Sequence, residues 1–84
     1  MTVRITKEIA REVTILHVDG HLHSEDVIVL KSESQKLAVP LILDLSQLQS
    51  ADTTGVAALL EIASMGGELR GASGYLKMLL SKNG

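Results

Sequence analysis

Polar and apolar residues alternate from Thr2 to Thr6, setting Val3 and Ile5 on one side, the period-two signature of a strand with one buried face. Glu8 to Glu12 is polar and predicts a turn. Val13 to Val18 is then rich in β-forming residues and stops at Asp19-Gly20, so an antiparallel hairpin opens the chain. Ser24 followed by Glu25 and Asp26 reads as an N-cap with acids in the first helical turn. Val27, Leu30, Ser34 and Leu37 recur at helical spacing until Pro40 ends the pattern.

Leu41, Leu43 and Leu45 alternate with Ile42, Asp44 and Ser46, a third strand that buries its leucines and turns its polar side chains outward. Thr53 to Met65 predicts a second helix closed by Gly66-Gly67, Glu68 to Gly71 a short fourth strand, and Gly74 to Leu80 a third helix. Strands alternate with helices after the hairpin, and right-handed crossovers between parallel strands keep helices on one side. The expected architecture is α/β: a small mixed sheet, an N-terminal hairpin followed by parallel βα units, with helices mainly on one face.

Composition narrows the functional classes. With 84 residues the chain holds one core, and 45% hydrophobic against 21% charged residues is the balance of a folded domain. Tyr75 is the only aromatic residue and the net charge is −2, so there is neither a stacking platform nor a basic footprint for nucleic acid. The longest apolar runs, such as Val56 to Leu60, are far shorter than the ~20 residues a membrane span needs, and Met1 to Ile5 lacks a signal-peptide core. We therefore expect an unexported, cytoplasmic protein without direct membrane insertion. No cysteine is present, which removes disulfides and thiolate chemistry together.

Leu41-Ile-Leu-Asp-Leu-Ser, a short connection, and then Ala51-Asp52-Thr53-Thr54-Gly55-Val56 resemble the STAS domain family, the anti-sigma-factor antagonists and their relatives. In that family a strand ends in an Asp-Leu-Ser-like triplet and Asp-Ser/Thr-Ser/Thr-Gly opens a helix. Val18-Asp19-Gly20-His21-Leu22 is similar to the family's Gly-x-Leu-Asp at the end of the second strand, and Gly66-Gly67-Glu68-Leu69 precedes its fourth. The resemblance covers almost the whole chain, residues 1 to 84, as a single STAS-like domain. Two departures stand out. His23 occupies the place of a common acidic residue, and the chain stops where the family adds another strand and helix.

The resemblance implies a bacterial signalling protein that regulates transcription: an anti-sigma-factor antagonist-like module that binds an anti-sigma serine/threonine kinase when unphosphorylated. It carries the phosphoacceptor role onto Thr53. The residues alone also allow a local reading, in which Thr53 is an N-cap and Asp52 a first-turn acid. A phosphate on Thr53 would sit at a helix N-terminus that tolerates negative charge and would act outward on a partner. Gly55 costs helix propensity, and close approach by a partner backbone or a kinase nucleotide would be the gain. In the second helix Val56, Leu59, Leu60 and Ala63 form the stripe expected to pack on the sheet. Ala58, Ile62 and Met65 form another apolar line, read either as an exposed docking ridge beside Ala57 and Thr53 or as a stripe covered by neighbouring helices. The partner-binding candidates are thus His23, Asp52, Thr53, Thr54, Gly55, Ala57, Ala58, Ile62 and Met65.

Two further readings complete the set. Within the family, the same helix could dock a non-catalytic STAS subunit on a transporter or stress-signalling complex, with Thr53 as a contact. In another class, His17, Asp19, His21 and His23 fall at period two, so a continuous strand would present four metal ligands on one face. Gly20 is expected to end that strand and scatter the last two histidines into a loop. No nucleophile with an oriented base is evident, so neither catalysis nor a cofactor is expected. Gly71-Ala-Ser-Gly74 reads as a turn rather than a phosphate loop. If the strands stack in sequence order, Glu68 to Gly71 is a sheet edge, predicted either to pair with another copy as a homodimer or to leave residues after Gly71 poorly ordered.

Overall fold

A computed structural model describes residues 3–37 and 40–83. In chain order the elements are β1 (Val3–Ala10), β2 (Val13–Leu22), α1 (Ser24–Gln35), β3 (Leu41–Asp44), β4 (Leu48–Ala51), α2 (Thr53–Ser64), β5 (Glu68–Arg70) and α3 (Gly74–Asn83). The expected start of the first strand at Thr2 lies outside the described residues.

The hairpin is tighter than its polar residues suggested. β1 continues through Glu8 to Ala10, which pairs with Val13, leaving only Arg11 and Glu12 in the turn. Glu12, the second turn residue, takes the left-handed backbone, with φ of 60°. β2 runs on through Gly20 to Leu22 rather than ending at Asp19-Gly20. Its far edge is shared: Thr14 to His17 pair in parallel with β3, and Gly20 to Leu22 with β4. β4 was not expected, because Leu48–Ala51 is too short for its alternation to stand out from a connection. The sheet order is β1-β2-β3-β5, with β4 beside the second half of β2.

One face of the sheet carries the core. Leu16, Val18 and Leu22 from β2 meet Leu43, Leu45 and Leu48, with Leu30, Leu59 and Leu76 from the three helices. Leu76 is fully buried, so α3 closes on this core, contrary to the expectation of disorder after Gly71. Ser73 starts α3 by accepting the Leu76 N–H on its hydroxyl at 3.2 Å, in agreement with the turn expected there. α2 lies between α1 and α3 and packs against both.

The opposite face mixes polar side chains with Ile15 and the buried Ile42, which pair across β2 and β3. The strand register aligns Thr6, His17, Asp44 and Arg70 in one row across four strands. His17 bridges the sheet, with Nδ1 2.8 Å from Asp44 Oδ2 and Nε2 2.7 Å from Glu8 Oε1.

Candidate functional site

The C-terminal ends of β2 and β4 and the N-termini of α1 and α2 meet at one corner, and Asp52 ties them together. Its N–H donates to the Leu22 carbonyl at 3.0 Å, anchoring it to the end of β2. One carboxylate oxygen accepts the Gly55 N–H at 2.8 Å, the N-cap bond of α2, and the other accepts the Ser24 N–H at 2.8 Å, in the first turn of α1. Helix starts leave N–H groups without intrahelical partners, and a single carboxylate serves two of them. These bonds, the Gly55 N–H first and the Ser24 N–H after it, hold the Asp52 carboxyl below its ordinary pKa.

The cap of α2 is therefore Asp52, and Thr53 is the first helical residue, exposed to solvent. This corrects the reading of Thr53 as an N-cap with Asp52 behind it. Gly55 is corrected as well. It is buried, and a Cβ there would lie 2.6 Å from the Leu22 carbonyl oxygen and 3.1 Å from the Leu22 side chain. The close approach that requires glycine is that of α2 to the end of β2, not that of a partner.

The proposed ridge on α2 is not a surface. Ala58 and Ile62 are 2% and 7% exposed, because α1 covers that side of the central helix. Met65 is exposed, but it lies twelve residues beyond Thr53, about 18 Å along the helix. It lines a cleft of about 220 Å³ with Ile62, Leu37 and Leu41, away from the corner. What α2 does present is Thr53, Thr54, Ala57, Glu61 and Ser64.

α1 adds an exposed apolar residue that sequence reasoning passed over. The Lys31 ammonium pairs with Glu61 at 2.7 Å, which identifies the side of α1 that faces α2, and Ile28 lies one turn before Lys31. Ile28 is 76% exposed. The signal was present in the run Val27-Ile28-Val29-Leu30, since one buried stripe cannot absorb four consecutive apolar residues.

His23, not Ser24, is the N-cap of α1. Its N–H donates to Asp26 Oδ2 at 3.2 Å, the reciprocal half of a capping box. Asp26 has no exposed surface, and its Oδ1 is buried without a partner, an arrangement that costs about 1–3 kcal/mol. The His21 ring stacks on that of His23 with centroids 6.2 Å apart, and its Nδ1 lies 2.6 Å from Ser50 Oγ.

The period-two histidines thus stay on or next to one strand, yet they do not gather around a point. His17 is engaged by Glu8 and Asp44, and His21 by Ser50. The corner unites His23, Asp52, Thr53 and Thr54, with Ala57 one turn further along. Ala58, Gly55 and Ile62 belong to the interior.

No helix among the described residues is long and apolar enough to cross a membrane. The family model described as "Mlab, STAS domain" matches residues 5–81. No curated protein sequence matches the chain. Among solved structures, an antisigma-factor antagonist STAS domain from Rhodobacter sphaeroides is 21% identical, aligned over 87% of this chain and 94% of that one, with a TM-score of 0.63. The Bacillus cell-fate determinant SpoIIAA, in its phosphorylated form, is 18% identical over 96% of this chain and 84% of its own, with a TM-score of 0.69. A structure named Mglu is 17% identical over 87% of this chain but only 20% of that one, with a TM-score of 0.70. At these identities the likeness shows the shared fold.

Proposed function

Because the chain belongs to the STAS domain family, we propose that it is an anti-sigma-factor antagonist-like binding module whose contact surface starts at Thr53. In this reading it holds an anti-sigma serine/threonine kinase while unphosphorylated, in the bacterial cytoplasm, and phosphorylation of Thr53 releases it. The observation that carries the reading is the division of labour at the corner. Asp52 caps α2 and binds the first turn of α1, so the exposed Thr53 has no capping duty.

The partner kinase supplies ATP and the catalytic groups, and the chain supplies the acceptor hydroxyl. A phosphate on Thr53 brings ~1.5 to 2 negative charges to the first residue of α2, where the helix dipole favours them. The same charge lies one residue from the Asp52 carboxylate, so the surface offered to a partner becomes more negative and more strongly hydrated while the fold beneath keeps its bonds. Ala57 leaves room for a partner to approach α2, and Ile28 supplies an apolar contact beside it.

That exposed isoleucine also favours a second use of the same surface: lasting attachment to a transporter or stress-signalling complex, with Thr53 as a contact. Incubation with the kinase that copurifies with the chain, in the presence of ATP, followed by peptide mass spectrometry, separates the two. A phosphate on Thr53, absent in Thr53→Ala, supports the switch. An unmodified Thr53 in a stable complex supports the attachment.

A further inference from the structure

We propose that the outer edge of β1 binds a second copy of this chain, β1 against β1 in antiparallel register, with the two-fold axis at Thr6. Among the described residues β1 pairs only with β2, so its other edge is open along all eight residues. The direction of its backbone groups follows from β2. Thr14 and Gly20 donate their N–H groups away from β1, to the carbonyls of Pro40 and Gln47. Their cross-strand partners on β1 are Ile9 and Val3, and the alternation of the ladder between these two adds Ile5 and Lys7. These four residues therefore turn their N–H and C=O groups outward, while Arg4, Thr6, Glu8 and Ala10 turn theirs to β2. Edges that stay single are usually short, bent by a bulge or blocked by proline; β1 has no proline, and its register with β2 runs unbroken.

Outward groups meet outward groups only where odd-numbered residues face odd-numbered ones, which leaves few registers. Centring on Arg4, Lys7 or Glu8 sets like charges against each other, and centring on Ile5 leaves Glu8 and Ile9 facing no residue of the partner strand. Centring on Thr6 opposes Arg4 to the partner subunit's Glu8 and, by symmetry, Glu8 to the partner subunit's Arg4. These are the positions without ladder bonds across the new edge, where side chains approach most closely. Glu8 uses Oε1 for His17 and its side chain is 56% exposed, so a second oxygen is open to the partner's Arg4. On the helix face the same register sets Ile9 against the partner's Val3. Ile9 is 75% exposed although Val3, on the same face of the same strand, belongs to the core, and the pairing covers it. Lys7 faces the partner's Ile5, along which its stem can lie with the ammonium in water. At the other end of the sheet β5 offers three residues against eight, so the β1 pair forms at the lower concentration.

The pairing is independent of Thr53 and of any kinase and is read on the chain alone. Sedimentation equilibrium should show a reversible dimer that forms as concentration rises. Arg4→Glu and Glu8→Arg should each raise its dissociation constant roughly tenfold or more, and an equimolar mixture of the two should recover association, because every facing charge pair in the mixed dimer is again of opposite sign. Lys7→Pro removes one outward N–H without touching the ladder to β2, so it should abolish the dimer and keep the circular dichroism of the monomer. If Lys7→Pro does not fold, the charge variants decide. Glu68→Arg, at the far edge, should leave this first association step unchanged. A wild-type chain that stays monomeric up to its solubility limit, a dimer that neither charge variant weakens, or a mixture that associates no better than its components would overturn the pairing.

Discussion

At Asp52 one carboxylate fastens two helices, and the neighbouring residues follow from that arrangement. Gly55 must be glycine because α2 begins directly against the Leu22 carbonyl. Alanine is the better helix former by about 1 kcal/mol, yet Gly55→Ala should lower stability by roughly 1–3 kcal/mol in denaturant unfolding, since its Cβ has no space. An increase in stability would mean that the helix start can shift. On the opposite face, Glu8 and then Asp44 raise the His17 pKa above the ordinary 6.5, outweighing the burial that lowers it. A raised value in the folded state means that this contribution is complete below 6.5 and is lost as pH climbs through the higher folded value. Asp44 runs the other way. The Ser46 N–H, with His17, holds its carboxyl below 3.8, so its contribution is present above 3.8 and is lost as pH falls through the lower folded value. Thermal unfolding should therefore show greatest stability between these limits, with a decline on the alkaline side that His17→Ala removes. An identical alkaline decline in His17→Ala would assign it to another group.

Among the elements, α2 was legible in type and extent because its apolar positions, its Asp-Thr-Thr-Gly start and its Gly-Gly stop all agree. Which of its two stripes is buried was not legible. Periodicity reports that two faces are apolar, and only the presence of helices on both flanks explains why. Ile62→Glu should cost several kcal/mol by burying an unpaired charge, whereas Ile28→Glu should keep the wild-type melting temperature and weaken partner binding. Loss of stability in Ile28→Glu would show that Ile28 is covered. The strand β4 escaped notice because four residues carry too little alternation, and the strand end placed at Gly20 was wrong because pairing with both β1 and β4 carries β2 through the glycine. The corner was partly legible: Asp52 and Thr53 stood out by motif, but their division into cap and exposed hydroxyl depends on where the Ser24 N–H lies in space.

As a whole, the molecule is a one-sided sheet with α2 central among its helices and two edges. Among the described residues, β5 pairs only with β3, leaving Glu68, Leu69 and Arg70 along its outer edge. Antiparallel pairing with a second copy about Leu69 would set Glu68 against Arg70 of the partner subunit at both ends. Three residues bury little area, so we expect association only at high concentration. In sedimentation, Glu68→Arg should weaken it and the double exchange with Arg70→Glu restore it; equal behaviour of all three proteins would place any contact elsewhere.

The helix face carries the central claim, that Thr53 controls docking without supporting the fold. Its most direct test is the calorimetric affinity of Thr53→Asp against wild type for the copurifying kinase. The added charge should weaken binding at least tenfold while the melting temperature stays within a degree or two, because Asp52 alone caps the helix. Equal affinity in a folded Thr53→Asp would contradict the switch.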